Sequence, residues 1–142
     1  PGRFQPMGRH HFQTYQKLAD KFGISNTFIA TSDVTGPKSP LNFEEKKLIM
    51  MKHGVPESQI VHTRNPYQAT EISSMFDPLQ TSIVFAVGKK DMETSPRFAN
   101  LGGLTKKGHP AYYKEFDPSQ ELQTLDQHGY ITVEQWQAML FL

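Results

Sequence analysis

The chain has 142 residues, 37% hydrophobic and 20% charged, within the range that buries one ordinary hydrophobic core. Its 15 Lys and Arg against 14 Asp and Glu leave a formal charge of +1, too balanced for a protein that coats nucleic acid or a membrane through bulk electrostatics, so any anion site must be local. It has no cysteine, which excludes a disulfide framework, a thiolate zinc site and cysteine nucleophilic catalysis and suits a reducing cytoplasm, and neither a signal peptide nor an apolar run near the roughly 18 residues of a membrane helix is visible.

The chain begins with a turn. Gly2-Arg3-Phe4-Gln5-Pro6-Met7-Gly8-Arg9-His10-His11 runs from a glycine-started bend into a histidine pair that opens an amphipathic segment. Amides in the first turn of a helix lack intrahelical acceptors and carry the positive end of the macrodipole, so they suit a phosphate. The same dipole disfavours imidazolium, so His10 and His11 are expected to be neutral N–H donors toward a phosphoryl oxygen. Phe12, Tyr15, Leu18, Ala19 and Phe22 recur at helical spacing, and Gly23 stands where a left-handed cap would end the helix. Thr27-Phe28-Ile29-Ala30-Thr31 then reads as a short buried parallel strand. Ser32-Asp33 falls at its carboxyl end, the side on which such sheets bind ligands.

After a loop over residues 36–40, Asn42 and Glu45 have the spacing of a capping box for a helix running to about His53 and ended by Gly54. Its apolar residues Leu41, Phe43, Leu48, Ile49 and Met51 are expected in the core. Residues 60–63 read as a strand, and Pro66 opens a third helix carrying Ala69, Ile72, Met75 and Phe76. Residues 82–87 are the strongest strand signal, and Gly88-Lys89-Lys90-Asp91 leads out of it. From about Met92 to Phe116 the pattern reads as a long excursion over the cleft. There His109, Tyr112 and Tyr113 suit either stacking on a base or pinning the loop. Residues 129–133 read as a last strand and 134–142 as a short helix. This alternation implies an α/β fold: a Rossmann-like, doubly wound parallel sheet with helices on both faces, in a single domain over 1–142. Its strand exits would gather the Gly2–His11 turn, Ser32-Asp33, His62-Thr63-Arg64 and Gly88–Asp91 along one rim.

The opening stretch also resembles the G-x-F-x-P-x-H-x-G-H motif of the HxGH-type nucleotidyltransferase superfamily, and GRFQP is most similar to its nicotinamide-nucleotide adenylyltransferase branch. Gly2, Phe4, Pro6 and His11 agree with the pattern, whereas Gly8 stands at its first histidine and His10 at its second glycine. Either His10 substitutes for the displaced imidazole or the chemistry is altered. Ser39 to Lys46 loosely resembles the N-P-F-T-x-G-E-R segment of the same enzymes, although helix capping explains most of it. Gly88 and Asp91 resemble their G-x-D loop with one extra lysine. The resemblance leads us to expect a strand ahead of Pro1 and an S/T-x-x-R-like segment beyond the last strand. Only Thr132 stands near that place and no arginine follows Arg97, so either the segment lies past Leu142 or Lys89, Lys90, Lys106 or Lys107 holds pyrophosphate.

What the resemblance implies is transfer of AMP or CMP from a nucleoside triphosphate to a phosphate- or hydroxyl-bearing acceptor, nicotinamide mononucleotide among the candidates, with release of pyrophosphate. His11, His10 and Lys89 would be catalytic. Gly2, Arg3, Phe4, Gln5, Pro6, Gly8, Gly88, Lys90 and Asp91 would hold the nucleotide. Mg²⁺ would arrive with the triphosphate, and no protein metal ligands are assigned. The expected partners are the triphosphate and a small acceptor, with neither nucleic acid nor membrane; a homo-oligomer is compatible. The alternative is a non-catalytic nucleotide-binding module derived from the same fold. A redox Rossmann domain is disfavoured because no G-x-G-x-x-G lies between a strand and a helix.

Overall fold

Residues 1–88, 103–104 and 107–134 are described by the computed structural model, and they fall into two units, one built on Pro1–Ile72 and the other within Ser73–Gln135. In the first unit, helix α1 (Arg9–Phe22) turns Thr14, Tyr15 and Ala19 inward, one helical stripe. Gly23 ends it with φ 94° and ψ 144°: a positive φ that favours glycine, but not the left-handed helical conformation expected of the cap. Strand β1 (Ile29–Thr31) pairs in parallel with β2 (Ile60–His62), with Ile29 opposite Ile60 and Thr31 opposite His62. A parallel pair needs a crossover, and helix α2 (Phe43–His53) supplies it. Its start is the expected capping box: Glu45 N–H donates to Asn42 Oδ1 at 2.9 Å, and Asn42 N–H donates to Glu45 Oε1 at 3.1 Å. Gly54 closes the helix in the left-handed region, its N–H shared between the carbonyls of Met50 and Met51.

The inward face of α2 differs from the expected one. Its buried residues are Lys46 and Met50, whereas Leu48 and Met51 are exposed. Four consecutive apolar residues, Leu48 to Met51, conceal the phase of the helix, and the stripe that packs inward is 43, 46, 50 and 53, with a lysine in it. Met50 belongs to a core with Met7, Tyr15, Ala19, Ile29, Val55 and Ile60, on which Phe4, Phe12 and Phe43 also pack.

One polar atom in this core lacks a partner: among the described residues, the buried Tyr15 hydroxyl makes no hydrogen bond. Removing an unsatisfied polar atom relieves a desolvation penalty, so Tyr15→Phe is expected to leave stability unchanged or raise it by up to about 1 kcal/mol in urea titration. A loss of that size instead would mean the hydroxyl has a partner.

The expected third helix shrinks to a single turn, α3 (Thr70–Ser73). Local turns compete for the backbone on both sides of it. The Asn65 side chain accepts from Tyr67 N–H and Ala69 has φ 48°, while Asp77 accepts from Leu79 N–H.

In the second unit, β3 (Val84–Gly88), β4 (Tyr113–Glu115) and β5 (Gly129–Glu134) form a parallel sheet in the order β3-β5-β4, with Val84 opposite Tyr130 and Tyr113 opposite Gly129. Strand β4 lies in the stretch read as an excursion. Gly129 is required there by close approach, since a Cβ would lie 2.8 Å from Tyr113 Cε1. The Tyr112 and Tyr113 rings stack at 4.9 Å, Tyr112 donates to Leu125 O, and Tyr113 meets Phe85 edge-on, so both are held by the body of this unit. The chain is thus a mixed α/β protein with parallel strands in two small sheets. Among the described residues no helix is long and apolar enough to cross a membrane. The helix expected to occupy the last residues lies, from 135 onward, outside the described residues.

Candidate functional site

The Gly2–His11 turn is built onto the carboxyl end of β1. Successive residues of a strand direct their carbonyls to opposite edges. Thr31 O accepts from Thr63 N–H on the β2 side, and Ala30 O accepts from Gly2 N–H at 3.1 Å on the other, so Gly2 lies along the edge of β1 away from β2. Phe4 then adopts φ 50°, a left-handed conformation that strains a bulky non-glycine residue. Two clamps hold it there. Gln5 exchanges two hydrogen bonds of 2.8 Å with the backbone of Leu41, and Arg3 O accepts from both Thr31 Oγ1 and Lys46 Nζ. Met7, only 2% exposed, anchors the far end of the turn in the core.

The histidine pair follows directly. His11 Nδ1 accepts from Gly8 N–H at 2.9 Å, closing the half of a capping box that a glycine N-cap leaves to residue N3. A backbone N–H can only donate, so Nδ1 is the unprotonated nitrogen and the neutral ring carries its proton on Nε2. Burial, and then the neighbouring His10, push the His11 pKa down to about 4, so the ring is neutral at physiological pH. The His10 and His11 rings lie 4.0 Å apart between centroids, and Phe4 meets His11 edge-on at 5.3 Å. A Cβ added to Gly8 would lie 2.9 Å from His10 Cε1. The His10 ring therefore occupies the space where a side chain at residue 8 would begin.

These contacts correct two assignments. The amides of Gly2 and Gly8, expected to bind phosphate, are engaged by Ala30 O and by His11 Nδ1, so both glycines serve as close-packed backbone rather than as donors to a ligand. Asp33, at the exit of β1, accepts from Phe43 N–H at 2.8 Å and joins Asn42 in capping α2. His62 packs against Phe43 in a tilted arrangement with ring centroids 5.2 Å apart, and Arg64 N–H donates to Glu71, whose carboxyl this bond holds below the usual range. The structure thus gathers Gly2–Gln5, His10, His11, Ser32 and Asp33 within the first unit. Gly88 ends β3 in the second unit, and Lys89, Lys90 and Asp91 lie outside the described residues.

Sequence reasoning missed Lys46. It is 1% exposed, and its ammonium donates to Arg3 O at 3.2 Å, Thr31 Oγ1 at 3.0 Å and Ser32 O. Burial lowers its pKa, an effect opposed by Asp33. Residue 46 shares the Phe43–Met50 stripe, which marks a lysine that must meet oxygens once the rotation of the helix is known.

The depressed His11 pKa has a consequence for stability. Between about pH 6.5 and pH 4 the unfolded chain binds a proton at residue 11 that the native state refuses, so stability falls as pH drops through that window. His11→Gln retains an acceptor for Gly8 N–H and does not titrate. The melting temperature of the parent is expected to fall more steeply than that of this variant from pH 7 to pH 4; parallel curves would show that residue 11 is not the group responsible.

Comparison with known proteins returns no match: no family model fits the chain, and no curated protein or solved structure is significantly similar to it.

Proposed function

We propose that this protein is a nucleotidyltransferase on a Rossmann-like, doubly wound parallel sheet, transferring AMP or CMP from a Mg²⁺-bound nucleoside triphosphate to a phosphate- or hydroxyl-bearing acceptor. His11 carries the reading. Its Nδ1 is fixed by Gly8 N–H and its pKa is low, so Nε2–H is a neutral, pre-aligned donor at the start of a 14-residue helix, the place where an α-phosphoryl oxygen gaining charge is best stabilised. His10, in contact with His11 and filling the space beside Gly8, stands in for the imidazole that the resembling motif has at residue 8. The Gly2–Ala30 pairing supports one βαβ half of such a sheet. A strand running into Gly2 would lie beside β1 with β2 on its other edge, and α2 already provides the crossover.

In the reaction, the acceptor oxygen attacks the α-phosphorus in line, a hydroxyl acceptor giving up its proton to water, the bond from the α-phosphorus to the oxygen bridging to the β-phosphate breaks, and pyrophosphate leaves with its metal ion. Mg²⁺ belongs to this scheme as part of the substrate, since it is commonly held largely through phosphates. The protein aligns the two substrates and donates hydrogen bonds to the α-phosphoryl oxygens.

A non-catalytic binding module is the second reading, favoured by the glycine at residue 8. The two are separated by supplying Mg-ATP or Mg-CTP with a panel of acceptors, nicotinamide mononucleotide first. Acceptor-dependent release of pyrophosphate is expected. A ligand-induced rise in melting temperature without release would favour the module, and neither effect with either triphosphate would sink both readings.

A further inference from the structure

We propose that Lys46 is a positioning residue of the triphosphate site: it turns the Arg3–Phe4 and Ser32–Asp33 peptide groups so that their carbonyls face its buried ammonium and the amides of Phe4 and Asp33 face away from it. This rests on the function proposed above. In a planar trans peptide, C=O of one residue and N–H of the next point in opposite directions. Arg3 O and Ser32 O both accept from Lys46 Nζ, so the next two N–H groups are directed away from the buried side. Phe4 is also the residue held at φ 50°, and the plane pinned by Lys46 is the one that immediately precedes it. Strain of this kind persists only where the surroundings over-determine it.

Lys46 does not itself grip phosphate. An ammonium has three N–H bonds, and all three have protein acceptors: Arg3 O, Thr31 Oγ1 and Ser32 O. Thr31 Oγ1 accepts from Lys46 and donates to Arg3 O, so the turn, the end of β1 and helix α2 are joined through one network. Gly2 and Gly8 have their amides engaged internally, which makes Phe4 N–H the turn amide whose direction this network controls. The Phe4 side chain also meets the neutral His11 ring edge-on, which joins the turn to the imidazole.

Two variants test the assignment. Lys46→Met keeps the length of the side chain and removes all three donors; Thr31→Val keeps the ammonium and removes the hydroxyl that links it to Arg3 O. The readouts, taken well below the melting temperature, are the backbone resonances of Arg3 and Phe4 and the dissociation constant for Mg-ATP and Mg-CTP by calorimetry. A positioning role predicts shifted Arg3 carbonyl and Phe4 amide resonances in both folded variants, with affinity at least 10-fold weaker in Lys46→Met and a smaller loss in Thr31→Val. Unchanged resonances overturn the proposal, as do altered resonances with parental affinity. If Lys46→Met fails to fold, Thr31→Val decides on the same criteria. A parent that binds neither triphosphate would instead refute the function proposed above, while the resonances would still report whether Lys46 orients the turn.

Discussion

Replacing His11 with alanine is expected to lower the turnover of nucleotidyl transfer by about 100-fold or more while leaving triphosphate affinity nearly unchanged, the pattern of a donor that acts chiefly in the transition state. The substitution removes two things at once: the Nε2–H donor and the acceptor of Gly8 N–H. His11→Gln separates them. A glutamine at the third helical position can accept from the cap amide, so this variant retains the helix start while losing the imidazole. Its turnover is expected to stay at least about 10-fold below the parent, since a carboxamide in that orientation does not reproduce the ring's aligned donor. Saturating steady-state rates decide the matter, and parental rates in both variants would remove His11 from the mechanism.

The second large effect is on stability. Met50 is fully buried, among Met7, Tyr15, Ala19, Ile29, Val55 and Ile60, and truncating it leaves a cavity in a core that cannot collapse freely. Met50→Ala is expected to cost about 3 kcal/mol, and for a unit of this size that lowers the melting temperature by on the order of 15 °C. The effect reaches the site because Met7, the anchor of the Gly2–His11 turn, packs in the same cluster. Leu48→Ala is the paired control. Leu48 is 58% exposed, so its truncation should stay within about 0.5 kcal/mol even though it is a neighbouring apolar residue of the same helix. Urea titrations showing the reverse order would mean that α2 presents the other face to the core.

That pair of residues marks a limit of the sequence pattern. Helix α2 could be placed from Asn42, Glu45 and Gly54, because capping chemistry is local and each residue acts on backbone groups within one turn. Its rotation could not be, because a run of four apolar residues satisfies more than one phase. The third helix failed for a related reason. Its apolar spacing was suitable, but side chains at Asn65 and Asp77 captured nearby amides and confined the helix to Thr70–Ser73. Strand β4 went unseen because three residues of ordinary composition become a strand only when β5 lies beside them.

The candidate site divides in the same way. The histidine pair was legible as the start of a helix, whereas the burial that keeps His11 neutral and the bond from Gly8 N–H that sets its tautomer were not. Gly2 and Gly8 were legible as special positions, but not as residues whose amides are engaged at home. The partners of Lys46 were not legible, since they lie 43, 15 and 14 residues away along the chain.

By itself the sequence determined the locations of α1, α2 and most strands, the histidine pair at a helix start, and the absence of cysteine chemistry, because each of these depends on composition or on groups close together in the chain. Tertiary structure decided which face of α2 is buried, where the Arg3 and Ser32 carbonyls point, and which turn amides have acceptors. Those outcomes depend on pairings between distant segments, where a buried ammonium must find oxygens and a strand edge must find a partner.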